Sequence, residues 1–366
     1  MQIHRRQCRQ ISVGGVKIGG GAPVSIQSMT KTDTRDAAAT LRQIKELKKE
    51  GCELIRVAVP DRAAALAFQR ICARSPLPVI ADIHFDHRLA LAAVAAGAAA
   101  IRLNPGNIGP EWKVKEVVKA CREKGVPIRV GANTGSLPPD LERRYGPGSP
   151  QALAEAALQQ ARLIEKAGWA EIKVSVKAFG IHTTIAAFRI LAKRVDYPFH
   201  LGITEAGPLF PGTVRSAIGI GALLLEGIGD TIRVSLTAHP RHEVKAGREI
   251  LRAVGARDFG PIIVSCPTCG RCEVDLPALV KETEKRIASL SSPLPRGLTV
   301  ALMGCVVNGP GEAQQADLGI AFSRRQAAVF VRGKVARRCS AEAALEILID
   351  RIAAGGGGGG PSRLES

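Results

Sequence analysis

The stretch SCPTCGRCEVDL, Ser265 to Leu276, places Cys266, Cys269 and Cys272 with two residues between neighbours. Three thiols so close in sequence are the mark of a bound metal or cluster, which requires a fourth ligand. With thirty-five residues intervening after Cys269, the chain reads CVVNGPGEA, where Cys305 is followed by a Gly309-Pro310-Gly311 bend and then Glu312. Two ligand sets are open on spacing alone. Cys266, Cys269 and Cys272 imitate the opening of a bacterial ferredoxin run, although no Cys-Pro ending follows. Alternatively Cys266, Cys269 and Cys305 act together, the bend brings Glu312 back, and a turn after Cys269 carries Cys272 away. No histidine lies in this part of the chain. A structural zinc site is expected to show four Cys or His ligands. Three thiolates and one hard oxygen fit a [4Fe–4S] cluster with one exchangeable iron better, and zinc is the alternative. The other cysteines, Cys8, Cys52, Cys72, Cys121 and Cys339, are isolated and read as packing or surface thiols.

A second chemistry is written into the β-branched runs. Arg56, Arg102, Arg129, Lys173 and Arg233 each sit between two aliphatic residues in runs such as IRV, IRL and IKV. In a parallel strand covered by helices the aliphatics pack outward, so the cation points inward. Unpaired cations in a closed core are prohibitively costly, which places them at an open mouth meeting anions. Lys177 shares the parity of Lys173 and lies nearer the carboxyl end of its strand, making it the better mouth residue. Arginine pairs bidentately with phosphate oxygens, and a surplus of cations suggests more than one phosphate. The plainer reading is a structural network in which Asp82 and Glu205 neutralise the ring. Neighbouring strand ends add Asp82, His84, Asp86, Asn104, Asn107, Asn133, Ser136, Thr204 and Glu205. Glu205 faces the cations from a strand with no cation of its own, which suits it to proton transfer once a polyanion offsets them.

The elements that position these groups alternate. VSIQSMT, ELIRVAV, PVIADIHF, AIRLNPGN, PIRVGANTG, EIKVSVKA, PFHLGITEAG and TIRVSLT read as strands, separated by helical stretches such as AAATLRQIKELKKEG. Eight such units in roughly 235 residues predict an α/β chain with a (β/α)8 TIM barrel over residues 1–257. An open doubly wound sheet is the competitor, but GIGIGALLLEG lacks the third glycine of a nucleotide fingerprint. Residues 258–352 read as a small α/β cluster domain, with QAAVFVRGKVARR as its final strand, and 353–366 as a flexible Gly-rich tail. The formal charge of +18 suits an anionic partner, yet aromatics are only 4%, too few for base stacking, so nucleic acid is not expected. No apolar stretch is long enough for a bilayer and the polar amino terminus lacks an h-region; a cytoplasmic, non-membrane protein is expected.

In order along the chain, ADIHFDHRLAL, RLNPGNIG, KVSVK, HLGITEAG, EGIGDTIRVSLT, SCPTCGR and MGCVVNGPGEA resemble the 4-hydroxy-3-methylbut-2-enyl diphosphate synthase family, over roughly residues 3 to 352. The resemblance is to the compact bacterial form. It implies reductive ring opening of 2-C-methyl-D-erythritol 2,4-cyclodiphosphate with loss of the C3 oxygen as water. It further implies that Cys266, Cys269, Cys305 and Glu312 ligate a [4Fe–4S] cluster. Arg56, Arg102, Arg129, Lys177, Arg233 and Ser235 would hold the diphosphate with Asn133 nearby, and Glu205 would serve as acid–base residue. A head-to-tail homodimer and an external flavodoxin or ferredoxin are implied as partners. Cys272 departs from the family pattern, where that position is commonly not cysteine.

Overall fold

The computed structural model describes residues 3–290, 294, 295 and 297–355, with Ser136 described in its backbone only; most of the expected Gly-rich tail, residues 356–366, lies outside them. The chain divides into two compact units, one ending at Arg257 and the other starting at Asp258.

The first unit opens with an antiparallel hairpin, β1 (Ile11–Val13) and β2 (Val16–Ile18), joined by Gly14 and Gly15, both with positive φ. Eight strands follow: β3 (Ser25–Met29), β4 (Leu54–Ala58), β5 (Val79–Asp82), β6 (Ala100–Arg102), β7 (Ile128–Asn133), β8 (Ile172–Lys177), β9 (His200–Leu201) and β10 (Thr231–Ile232). They pair in the order β8-β7-β6-β5-β4-β3-β10-β9, all in parallel, and a Val174–Phe199 bridge links the two ends into a closed barrel. Each expected barrel strand is present, trimmed at its ends. The hairpin was not anticipated. Its Ile11, Val13 and Ile18 pack on Leu54, Ile80 and Ala100 near the starts of their strands, so the amino-terminal end of the barrel is plugged with aliphatics. Outward-facing residues that flank the cations, among them Ile55, Val57, Ile101, Ile128 and Val130, are fully buried. That burial of aliphatics on both sides fixes the strand register, which in turn fixes the cations on the inner face.

Register then brings like charges together. Asp82 pairs with Arg102 across β5 and β6, Arg102 with Arg129 across β6 and β7, and Arg129 with Lys173 across β7 and β8. Three cations in a row answered by one carboxylate cannot be a stability device.

The second unit is a five-stranded mixed sheet, β11 (Ile262–Ser265), β12 (Thr299–Met303), β13 (Leu318–Phe322), β14 (Ala327–Val331) and β15 (Lys334–Cys339), in sequence order. The segment expected as one final strand is in fact the β14–β15 hairpin. Its two-residue loop, Arg332-Gly333, has φ of 47° and 77°, a turn whose twist matches the strands; arginine is an unusual occupant and hid the signal. Strand β13 was also missed. One face of the sheet packs with the helices Leu276–Ser289 and Ala341–Ala353 around Leu302, Ile320, Val329 and Leu348. The other face carries the short helix Gly309–Gln314 over Ala301, Met303, Ala321 and Phe330.

That short helix sits on Gly319 of β13, where an added Cβ would lie 2.5 Å from the Ala313 carbonyl oxygen. Gly319→Ala should lift the helix and lower the stability of this unit by about 1–3 kcal/mol, read as a lower urea midpoint by circular dichroism. An unchanged midpoint would show that the helix is not held by this close approach.

Candidate active site

A cavity of about 310 Å³ opens at the carboxyl ends of the barrel strands. Of the barrel residues singled out for chemistry, Arg56, Arg102, Arg129, Asn133, Lys177, Glu205, Arg233 and Ser235 line it, whereas Asn104 does not and instead accepts from the Gly106 N–H to cap a short helix. Asp82, His84, Ser175 and Thr204 complete the wall. Lys173 does not reach the cavity. It stays below, 2% exposed, its Nζ without a hydrogen-bond partner. Burial, then the charge of Arg129, lowers its pKa to about 7, which is how a closed core tolerates it. The expectation that all the interior cations reach the mouth therefore holds for Lys177 and fails for Lys173.

The mouth cations are held in place but not neutralised. Asp82 is shared, 3.8 Å from Arg56 Nε and 3.6 Å from Arg102 Nη1, and 3.4 Å from His84 Nε2. Burial alone would raise its pKa, but Arg56, the His84 hydrogen bond, Arg102 and Arg129 together hold it well below the usual carboxylate range. Arg56 directs Nε and Nη2 to the thioether of Met29, at 3.2 and 2.9 Å. A thioether is a weak, uncharged acceptor, so the guanidinium is oriented while its charge stays available. Arg129 has neither: its Nε and Nη1 are buried without a partner. Burial, then Arg56 and Arg102, push its pKa well below the ordinary value. Burial and then Arg233, Arg129, Arg56 and Arg102 do the same to Lys177, and burial with Arg56 brings Arg233 to about 10. Each shift says that the site resists holding its own charge and would gain from an anion.

One member of this system escaped sequence reading. Glu243, on the helix Pro240–Ala253, is 2% exposed, lies 3.8 Å from Arg233 and 3.0 Å from Lys31, and accepts hydrogen bonds from Ser28 Oγ and the Leu236 N–H. The signal was available, since Glu243 falls on the same buried helix face as Val244, Gly247, Ile250 and Leu251. Glu205 lines the cavity on an exposed stretch and holds φ at 50°, a left-handed conformation that non-glycine residues adopt at a cost and that clusters at functional sites.

In the second unit a separate cavity of about 650 Å³ is lined by Cys266, Cys269, Cys305 and Glu312, with Arg271, Asn308 and Gly309. Cys266 and Cys305 follow the parallel strands β11 and β12, so the sheet brings these two thiols to one edge. The N–H groups of Asn308, Val307 and Gly309 pull the Cys305 thiol below its usual pKa, and the Gly304 N–H donates to Cys266 Sγ at 3.4 Å. Cys272 is absent from this wall. The Cys272 N–H donates to the Cys269 carbonyl at 2.8 Å, closing a turn, and its thiol turns to the Val274 carbonyl at 3.3 Å and packs on the apolar core. Among the described residues no three Cys, His, Asp or Glu side chains gather on the spacing of a single ion. Soft donors spread around a cavity, with backbone N–H groups that favour thiolate, fit a sulfur-held cluster of several metal atoms.

Residues 8–248 match the GcpE TIM-barrel domain family and residues 262–354 the GcpE protein C-terminal domain family. The chain is 54% identical over 334 residues to the 4-hydroxy-3-methylbut-2-en-1-yl diphosphate synthase (flavodoxin) of Geobacter sulfurreducens, covering 91% of this chain and 94% of the relative. It is 51% identical over 350 residues to the protein of the same name from Thermodesulfovibrio yellowstonii, covering 96% and 99%. Among solved structures, the Yersinia pestis dihydropteroate synthase superposes with a TM-score of 0.50 at 15% identity, over 68% of this chain and 97% of that one. The N-acetylneuraminic acid synthetase of Leptospira borgpetersenii reaches 0.51 at 14% identity, over 79% and 100%. At such identities these two likenesses concern the fold alone. By the families matched along both units and by its curated relatives, this chain belongs to the GcpE family of 4-hydroxy-3-methylbut-2-en-1-yl diphosphate synthases.

Proposed function

We propose that this chain catalyses the reductive ring opening and dehydroxylation of 2-C-methyl-D-erythritol 2,4-cyclodiphosphate to 4-hydroxy-3-methylbut-2-enyl diphosphate. The observation that carries this reading is the convergence of Arg56, Arg102, Arg129, Lys177 and Arg233 on one cavity that offers them too few carboxylates. Two linked phosphates supply the missing negative charge, and each charge-assisted hydrogen bond to them contributes about 1.5–3 kcal/mol. Counted on the neutral acids, the reaction takes up two electrons and two protons. The ring C–O bond to phosphate breaks, and the C3 oxygen leaves as water.

Cys266, Cys269, Cys305 and Glu312 would hold a [4Fe–4S] cluster, a reading supported by their shared cavity and by the exclusion of Cys272 from it. When bound, such a group supplies electrons singly and an iron whose oxygen ligand can exchange. The barrel residues do the rest. Arg129, Lys177 and Arg233 fix the diphosphate, Asn133 and Ser235 orient it, and Glu205 delivers a proton to the departing C3 oxygen. Relatives at about half identity carry flavodoxin in their names, and a flavodoxin is the electron donor proposed here, with ferredoxin the alternative. Among the described residues no helix is long and apolar enough to cross a membrane; the proposed compartment is the cytoplasm. The proposed assembly is a head-to-tail homodimer in which the cluster unit of one chain serves the barrel mouth of the other.

Anaerobically purified protein should contain about four irons per chain and reduce the cyclic diphosphate with dithionite. Cys305→Ser should lose most of that iron, whereas Cys272→Ser should keep it. Equal iron loss in both variants would move Cys272 into the ligand set, and a single zinc in the parent would overturn the assignment.

The assembly has its own test. Arg56→Ala and Cys305→Ser chains, each inactive alone, should regain part of the activity when mixed under conditions that exchange subunits. Complete failure to complement, with exchange verified by mass spectrometry, would place the whole site within one chain.

A further inference from the structure

The segment from Cys305 to Ala316 separates two clefts. Cys305, Gly309, Glu312 and Ala316, at helical spacing, line the cysteine cavity. Val306, Pro310 and Gln314 turn the other way and line a second cavity of about 330 Å³, whose far wall holds Phe330, Val335 and Arg338. The proposed reaction uses only the first.

The second cleft has the composition of a docking surface. Its apolar part is accessible, with Val306 54% and Val335 47% exposed. Its rim is basic for a topological reason. Strands β11, β12 and β13 run parallel, so the turn after β13 lies at the same sheet edge as Cys266 and Cys305. That turn carries Arg324 and Arg325, and the Arg324 N–H donates to Glu273 Oε2 at 3.0 Å, next to Cys272. The end of β15 returns to this edge, with Cys339 opposite Ala327 and Arg338 opposite Ala328, and brings Arg337 and Arg338. All of Arg324, Arg325, Arg337 and Arg338 are exposed, and none forms a salt bridge with another described residue.

We propose that this cleft, between the Val306–Pro310 loop and the Arg325/Arg338 rim, is the docking site of the electron donor, a small acidic flavodoxin. The proposal rests on the function proposed above and names the surface it requires. An apolar centre inside a charged rim is the usual anatomy of a specific but transient interface, and opposite charge steers the encounter. Docking here brings the donor against the back of the same segment that presents Cys305 and Glu312, leaving their front to the substrate. A second copy of this chain is a poorer occupant if it offers its barrel mouth, because that mouth is itself ringed by cations.

The test uses the full-length, cluster-loaded protein and a purified oxidised flavodoxin. Arg325→Glu combined with Arg338→Glu should weaken flavodoxin binding, measured by biolayer interferometry at low salt, by roughly tenfold or more and flatten its salt dependence. Lys281→Glu combined with Lys285→Glu, the same number of charge reversals at exposed positions of the helix Leu276–Ser289, should not. Turnover driven by dithionite, which needs no docked protein, should stay within about twofold of the parent. Unchanged flavodoxin binding in the double variant would overturn the proposal. So would an equal fall in dithionite-driven turnover or a loss of dimer in size-exclusion chromatography, since either gives the cleft to the substrate or to a second chain. If the parent itself showed no turnover with dithionite, the functional reading would fail, and the binding comparison would still decide the docking surface.

Discussion

Buried positive charge without enough counter-charge is the constraint on which this structure depends. A closed barrel core rejects an unpaired cation at a cost of several kcal/mol, yet the inner face of this barrel gathers an arginine or lysine from most of its strands. The fold resolves the conflict by depth. At the plugged end Lys173 is tolerated because burial brings its pKa to about 7. At the open end the cations keep partial solvent contact and partners chosen not to neutralise them: one shared Asp82, one Met29 thioether, one Glu243 beneath Arg233. What remains is an unmet demand for anions at a fixed place, which is preorganisation for a diphosphate.

The second unit applies the same logic to soft ligands. Parallel strands carry Cys266 and Cys305 to one edge, a turn swings Cys272 away, and Gly319 lets the Glu312 helix approach the sheet closely enough to complete the wall. If Glu312 joins the three thiolates as proposed, its hard oxygen is the ligand easiest to displace. Splitting the two tasks between two units lets each be rigid. A charged mouth and a thiolate cavity built from one continuous core would compete for the same interior.

Much of this was legible in the residues, for physical reasons. Eight barrel strands announced themselves because each is buried on both sides and must be β-branched, and the cation within each run stood out against that background. The gathering of Cys266 and Cys269 with Cys305 around one cavity was not fixed by spacing; it follows from the parallel strands, while a turn and the apolar core receive the Cys272 thiol. The hairpin β1–β2 was missed because its three-residue strands carry little periodicity, and β13 because LGIAF, buried at every position, is an apolar run without alternation. The β14–β15 hairpin was read as one strand because Arg332 occupies a left-handed position that glycine or asparagine usually marks. Glu243 was overlooked because its contacts with Ser28 and Lys31 come through the barrel's closure, which no local pattern reports, and its place on the buried helix face was not weighed.

The central claim is that the mouth holds charge it cannot satisfy until phosphate arrives. Lys177 is its most direct reporter: its pKa is depressed by burial and by four neighbouring arginines, and a bound anion must raise it again. A raised pKa means proton uptake on binding, and affinity that declines as pH rises through the bound-state pKa. Calorimetric titration of the cyclic diphosphate from neutral to alkaline pH, in buffers of different ionisation enthalpy, should therefore show a range with net proton uptake that largely disappears in Lys177→Met. Binding with no proton exchange in the parent chain, or uptake that survives the substitution undiminished, would contradict the account.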